Sequence, residues 1–256
     1  ASCAVNGIVL VWRRKGHGVD FEKILTLEHH KAMVRGVAWD PVSEFLATLG
    51  EDDTSIWVAH TGEHIASIGE VEPGLALQTF YRRLAWSPDG ALLVSTCAQK
   101  KKNFVAPIIH RNDWKVGEKE FVGHLEPVVC CKFCPRMVKL KESGLITSVV
   151  VLGGQDTFLS LWLSAQPRPA FVVRNLFERS VLDISWMANG RGFLACSYDG
   201  TVGFVDWSED MEGLGELILP PDASMRPFDS DDEVREYLSD DGVGGVSHES
   251  SSHLDG

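Results

Sequence analysis

The sequence predicts an all-β fold, an incomplete β-propeller of about four blades plus the remnant of another, and three observations predict it. The first is a recurring unit. Val34-Arg35-Gly36-Val37-Ala38-Trp39-Asp40-Pro41 runs into Phe45-Leu46-Ala47-Thr48 and then Gly50 to Trp57. Arg82 to Gly90 with Leu92 to Ser95 repeats the first half, and Val181 to Trp186, Phe193 to Cys196 and Asp199 to Phe204 repeat all of it. Three short apolar strands with tight turns, recurring every ~40–50 residues, are the pattern of small sheets arranged radially. The second observation is the turn chemistry. Asp40-Pro41 and Ser87-Pro88-Asp89-Gly90 combine a fixed φ, a side chain that caps its own turn, and a glycine. The third is the alternation of the apolar runs between those turns, which leaves little room for helices.

Each element follows in order. Ala1 to Trp12 carries a turn and a last strand before a Trp but no first strand, so the chain reads as beginning inside a blade. The next blade runs from about Met33 to Trp57, with Asp52-Asp53 as its second turn and a short last strand, Thr54 to Trp57. Ala59 to Gln78, with Pro73-Gly74, reads as a connector. A further blade runs from about Tyr81 to His110. Lys100-Lys101-Lys102-Asn103 is a turn tip and Val105 to Ile109 the closing strand, where Pro107 suits a free amide position. Another runs from about Pro127 to Trp162, with Val128 to Phe133 as inner strand and Met137 to Leu145 as a basic insertion. The last runs from Val181 to about Phe204 or Trp207. Two raw sheet edges are expected, with self-association as their consequence.

Composition sets the remaining bounds. The chain has 256 residues, 44% of them apolar, with no apolar run long enough to span a membrane as a helix. Six cysteines without framework spacing point to a reducing compartment. Ser208 to Gly256 holds 14 of the 36 acidic and 2 of the 24 basic residues, so it carries the whole net charge of −12 and leaves 22 of each sign elsewhere. The expected organisation is a partial propeller over 1–208 and an acidic, disordered linker over 209–256. A neutral body argues against broad binding of a phosphate backbone, and no sequence-specific nucleic-acid contact is expected.

Several residues are of types that carry chemistry. In blades of the WD40 type, a His before the first strand, a Ser or Thr in the second, a turn Asp and a closing Trp form a buried hydrogen-bonded relay. His30, Thr48, Asp52 and Trp57 fit one set. His124, Asp156 and Trp162 fit a second, with Leu152 where the hydroxyl is expected, and Ser2, Asn6 and Trp12 are the remnant of a third. A Ser/His/Asp group invites a hydrolase reading, but no Gly-x-Ser-x-Gly elbow accompanies it, and buried polar networks commonly specify structure. Cys130, Cys131 and Cys134 lack the second ligand pair that zinc requires, so they read as small apolar residues on a strand. Lys100 to Lys102 read as a solvated turn, and Asp229, Asp231, Asp232, Glu233, Asp240 and Asp241 as a solvated linker or a contact for a basic partner. Glu233 to Leu238 could form one helical turn. No P-loop, His-Glu-x-x-His or EF-hand loop occurs. The expectation is a scaffold, with no enzyme activity, cofactor or metal.

Three segments are more specific than propeller grammar. They are Val34 to Val42, then Arg83 to Gly90 with Ile108 to Lys115, then Phe121-Val122-Gly123-His124 with Ser160 to Leu163, Arg168-Pro169, Leu176-Phe177 and Asp183 to Trp186. In this order they resemble the N-terminal WD40 propeller of the HIRA/Hir histone chaperone family, from the end of its third blade through the seventh of a seven-bladed ring. The resemblance covers about Ala1 to Ser208. It implies a nuclear protein that deposits variant histone H3 with H4 independently of replication and represses transcription in some settings. Its propeller is implied to hold a ubinuclein-type subunit, with histones H3-H4 met indirectly through the chaperone complex. The middle subunit of chromatin assembly factor one shares the Trp-Asp-Pro and Pro-Asp-Gly runs but accounts less well for Phe121 to His124 and Arg168-Pro169. A propeller substrate adaptor of a ubiquitin ligase is the alternative from another class.

Overall fold

Five antiparallel sheets follow one another along the chain in the computed structural model, which describes residues 1–16, 19–69, 79 and 82–220. The first sheet is β1 (Ser2–Cys3), β2 (Ile8–Arg14) and β3 (Phe21–Glu28). The second runs in order through β4 (Val34–Trp39), β5 (Phe45–Gly50), β6 (Thr54–Val58) and β7 (His64–Ile68). In the third, β8 (Ala85–Trp86) and β9 (Leu92–Val94) lead to β11 (Asn103–His110), which also pairs with β10 (Ala98–Lys100) and β12 (Lys115–His124). The fourth holds β13 (Val128–Leu140), β14 (Ile146–Gly154), β15 (Leu159–Leu163) and β16 (Pro169–Val173). The fifth is β17 (Val181–Trp186), β18 (Gly192–Ser197) and β19 (Val202–Asp206). The fold is therefore an incomplete propeller. The remnant at the N-terminal side is a three-stranded sheet, and four further blades follow it.

The strand period explains the packing. Successive side chains of a strand point to opposite faces, so an inner blade serves two cores at once. Val150 and Leu152 of β14 enter the core shared with the third sheet, beside Phe121 and Trp162. Val149 and Val151 enter the core shared with the fifth, beside Phe193 and Trp207. The same alternation splits the cysteines: Cys131 lies in the first of these cores, Cys130 and Cys134 in the second. Two more cores lie between the earlier sheets, one around Leu46 and Trp57 and one around Ile56, Trp86 and Leu93. Indole nitrogens tie neighbouring blades together. Trp86 Nε1 donates to Ala38 O at 3.2 Å and Trp186 Nε1 to Lys132 O at 3.0 Å.

The structure moves several expected boundaries. The connector from Ala59 contains β7, which pairs with β6 as an outer strand, while Pro73-Gly74 lies outside the described residues. Val105 to Ile109 belongs to a third strand, β11. The blade closes with β12, reached through a turn in which Trp114 takes φ 54°. Met137 to Leu145 is no loose insertion: β13 and β14 continue past the sheet as a hairpin, Met137 opposite Ser148 and Lys139 opposite Ile146. Past 208, where a linker is expected, a short helix α1 (Ser208–Leu214) and β20 (Gly215–Ile218) follow instead. Burial of Trp207 and Met211 anchors the helix, and β20 pairs antiparallel with Met137 to Leu140. The main acidic run and Glu233 to Leu238 lie outside the described residues.

Candidate functional site

The second blade assembles the first relay in full. His30 sits just before β4, Thr48 on β5, Asp52 in the turn after β5, and Trp57 on β6. His30 Nδ1 lies 2.8 Å from Asp52 Oδ1, and His30 Nε2 2.8 Å from Thr48 Oγ1. Trp57 Nε1 donates to the same hydroxyl at 2.9 Å. The other carboxylate oxygen of Asp52 accepts the Lys31 backbone N–H at 2.8 Å. The carboxylate only accepts and the indole only donates, so the tautomer with its hydrogen on Nδ1 satisfies every partner. Burial works against the ionised form of Asp52, but the Lys31 amide and His30 outweigh it and hold the carboxyl below its ordinary range. The relay thus pins the linker between blades to the second turn of its own blade.

The fourth blade repeats the arrangement with one change. His124 Nδ1 contacts Asp156 Oδ1 at 2.9 Å, and Asp156 also accepts the Leu125 and Phe158 amides. The hydroxyl comes from Ser160, not from position 152: Ser160 Oγ lies 2.8 Å from His124 Nε2 and accepts Trp162 Nε1 at 2.8 Å. Leu152 and Ser160 are direct cross-strand partners, as are Thr48 and Ser55 in the second blade. Such partners share one face of the sheet, so the hydroxyl can be supplied from either strand. In the second blade Thr48 supplies it, and Ser55 Oγ turns to Asp53 Oδ1 at 2.8 Å. Burial again opposes ionisation of Asp156, and the His124 contact with the two amides lowers its pKa overall. Gly50 and Gly154 complete both sites. A Cβ at either would lie 2.3 Å from the relay carboxylate and 2.6 or 2.5 Å from the His Nδ1.

The other candidates stand apart from a full relay. Trp12 Nε1 donates to Ser2 Oγ at 2.9 Å, while Asn6 Oδ1 accepts only the local Ile8 amide among the bonds described. In the fifth blade Asp199 accepts the Glu178 amide at 2.8 Å, so the turn is pinned without a histidine. The hydroxyl of Thr201 first, with neighbouring amides, holds Asp199 well below the ordinary carboxylate range. Cys131 Sγ donates to Arg83 O and Cys134 Sγ to Gly190 O, and burial pushes the Cys130 thiol up. Those contacts fit packed thiols. His30, Asp52 and Asp53 bring possible ligand atoms within 4.8 Å of one another, but the relay and Ser55 already engage them. Lys101, at φ 57°, turns the tip between β10 and β11, and Lys100 reaches Glu120 at 3.3 Å. Among the described residues no helix is long and apolar enough to cross a membrane.

Two hollows open beside these blades. One, of about 570 Å³, lies along the inner strands, where Trp39 is 38% exposed and Arg83 pairs with Asp183 at 3.5 Å. The other, of about 760 Å³, lies between the second and third sheets at the end carrying the first and third turns of each blade.

Known proteins resemble the chain at three levels. The family described as "WD domain, G-beta repeat" matches residues 21–58 and 173–206. Protein HIR1 of Mycosarcoma maydis is 34% identical over 213 residues, 82% of this chain and 20% of its own length. Protein hir1 of Schizosaccharomyces pombe is 30% identical over 95% of the chain and 24% of its own length, and protein HIRA of Gallus gallus 42% identical over 53% and 14%. The chain thus spans about a fifth of the length of the fungal relatives. Among solved structures, the C-terminal WD40 domain of Sif2 superposes with a TM-score of 0.58 at 15% identity, over 83% of this chain and 51% of that one, which supports the fold alone.

Proposed function

This chain belongs to the HIR1/HIRA family, and from that premise we propose that it is part of the propeller scaffold of a nuclear histone chaperone. In this reading the whole protein serves replication-independent nucleosome assembly and transcriptional repression. The propeller holds a ubinuclein-type subunit, and histones H3-H4 are met indirectly through the complex. The supporting observation is the relationship to HIR1 proteins over 82% and 95% of the chain, joined to a site whose Ser, His and Asp residues are spent on holding turns. Ser160 Oγ accepts from a buried indole and meets His124 Nε2, which supports a structural role for the hydroxyl. In this reading the chain serves as a docking platform. Affinity purification of the tagged full-length protein from nuclear extract tests this. Co-purification of a ubinuclein-type subunit with H3 and H4 is expected. Recovery of ubiquitin-ligase subunits in their place would overturn the reading.

A further inference from the structure

We propose that the groove between the second and third sheets is a docking site for an extended basic peptide that carries an apolar side chain. The inference rests on the groove's own geometry and stands apart from the chaperone reading. Its floor is apolar: Pro41 and Val42 from one blade's first turn face Pro88, Ala91 and Leu92 from the next. About 760 Å³ is ample for one large side chain and its flanking backbone. Pro41 and Pro88 give no amide for strand addition.

The walls are set before any partner arrives. Asp40 Oδ1 accepts the Phe45 amide at 3.1 Å and Ser87 Oγ the Leu92 amide at 2.9 Å. Arg111 spans both blades. Its Nη1 donates to Asp40 Oδ2 at 2.9 Å and its Nη2 to Glu44 Oε2 at 2.5 Å, and its Cζ lies 4.7 Å from the Phe45 ring centre. A groove shaped in advance loses little ordering entropy on binding.

Charge selects the occupant. Buried Asp40 already matches the single positive charge of Arg111, so exposed Glu44 and half-buried Asp89 leave the groove with a surplus of two negative charges. An acidic peptide would meet both carboxylates, whereas a Lys or Arg pairs with them while the apolar residue fills the floor.

The test uses two fluorescein-labelled dodecapeptides, a Leu-Val pair flanked by arginines and the same pair flanked by glutamates, titrated with the chain and read by anisotropy. The arginine peptide is expected to bind at low salt and weaken as salt rises. Glu44→Gln removes one rim charge, worth up to about 1 kcal/mol, and is expected to weaken binding roughly fivefold. Ala91→Arg fills the groove with bulk and positive charge and is expected to abolish binding. Both variants should melt like the parent, because neither side chain is buried. Equal binding of the glutamate peptide, or parental affinity in both variants, would overturn the proposal.

Discussion

A buried histidine is stable only if both ring nitrogens find partners, and each relay meets that demand with a donor at one end and an acceptor at the other. Removing the acceptor exposes the cost. Asp156→Ala leaves His124 Nδ1 and the Leu125 and Phe158 amides without their partner, at about 1–3 kcal/mol. At neutral pH the variant is expected to unfold at clearly lower urea concentration than the parent. The folded state holds Asp156 below its ordinary pKa, so its contribution is complete above the unfolded carboxylate value of ~3.9. That contribution is lost as pH falls through the folded value. The gap between parent and variant should therefore hold from pH ~7 to ~5 and close in stronger acid. His64, lowered by burial and by neighbouring His29, also destabilises on acidification, below ~6.5, but equally in both proteins. A gap that is absent at neutral pH, or that survives unchanged into strong acid, would refute the relay role.

At the scale of the blade, Gly50 and Gly154 link relay to strand. Gly154→Ala places a Cβ against both His124 and Asp156, so it is expected to destabilise about as much as Asp156→Ala. The double variant should then cost little more than either single one, since both act on one network. Additive losses, measured by urea titration, would show that Gly154 acts elsewhere. The inner strands were legible in the sequence because they are buried on both faces and read as continuous apolar runs, as in Val149 to Leu152. The outer strands were not. β12 carries exposed Lys115, Glu118 and Lys119 with charged Glu120 half-buried beside them, and β7 is five residues long, so neither shows a clear period. The sequence reading gives β7 to a connector and assigns no strand to Lys115 to His124. The relay residues are legible except Ser160, because the relay pattern places the hydroxyl on the second strand, where Leu152 stands. Its place opposite Leu152, two residues before Trp162, is the signal that finds it. The extension from Ser208 to Ile218 was hidden by the acidic composition around it.

At the scale of the molecule, the five sheets share four cores, and sheet follows sheet as an open arc. Among the described residues no ladder joins the first sheet to the fifth. The consequence shows at both ends. Trp39 holds the repeat position of Trp86 and Trp186 but faces a sheet whose innermost strand is only β1, and it stays 38% exposed. In the fifth sheet β19 pairs with β18 alone, and Val202 and Phe204 are 66% and 53% exposed. An unpaired, apolar strand edge is a template for pairing with another chain. Multi-angle light scattering across a concentration series tests the open arc most directly. The 256-residue chain is expected to exceed its monomer mass of 28.2 kDa and to grow with concentration, and Val202→Lys with Phe204→Lys should return it towards that mass. A parent chain that stays monomeric at every concentration would contradict the arc.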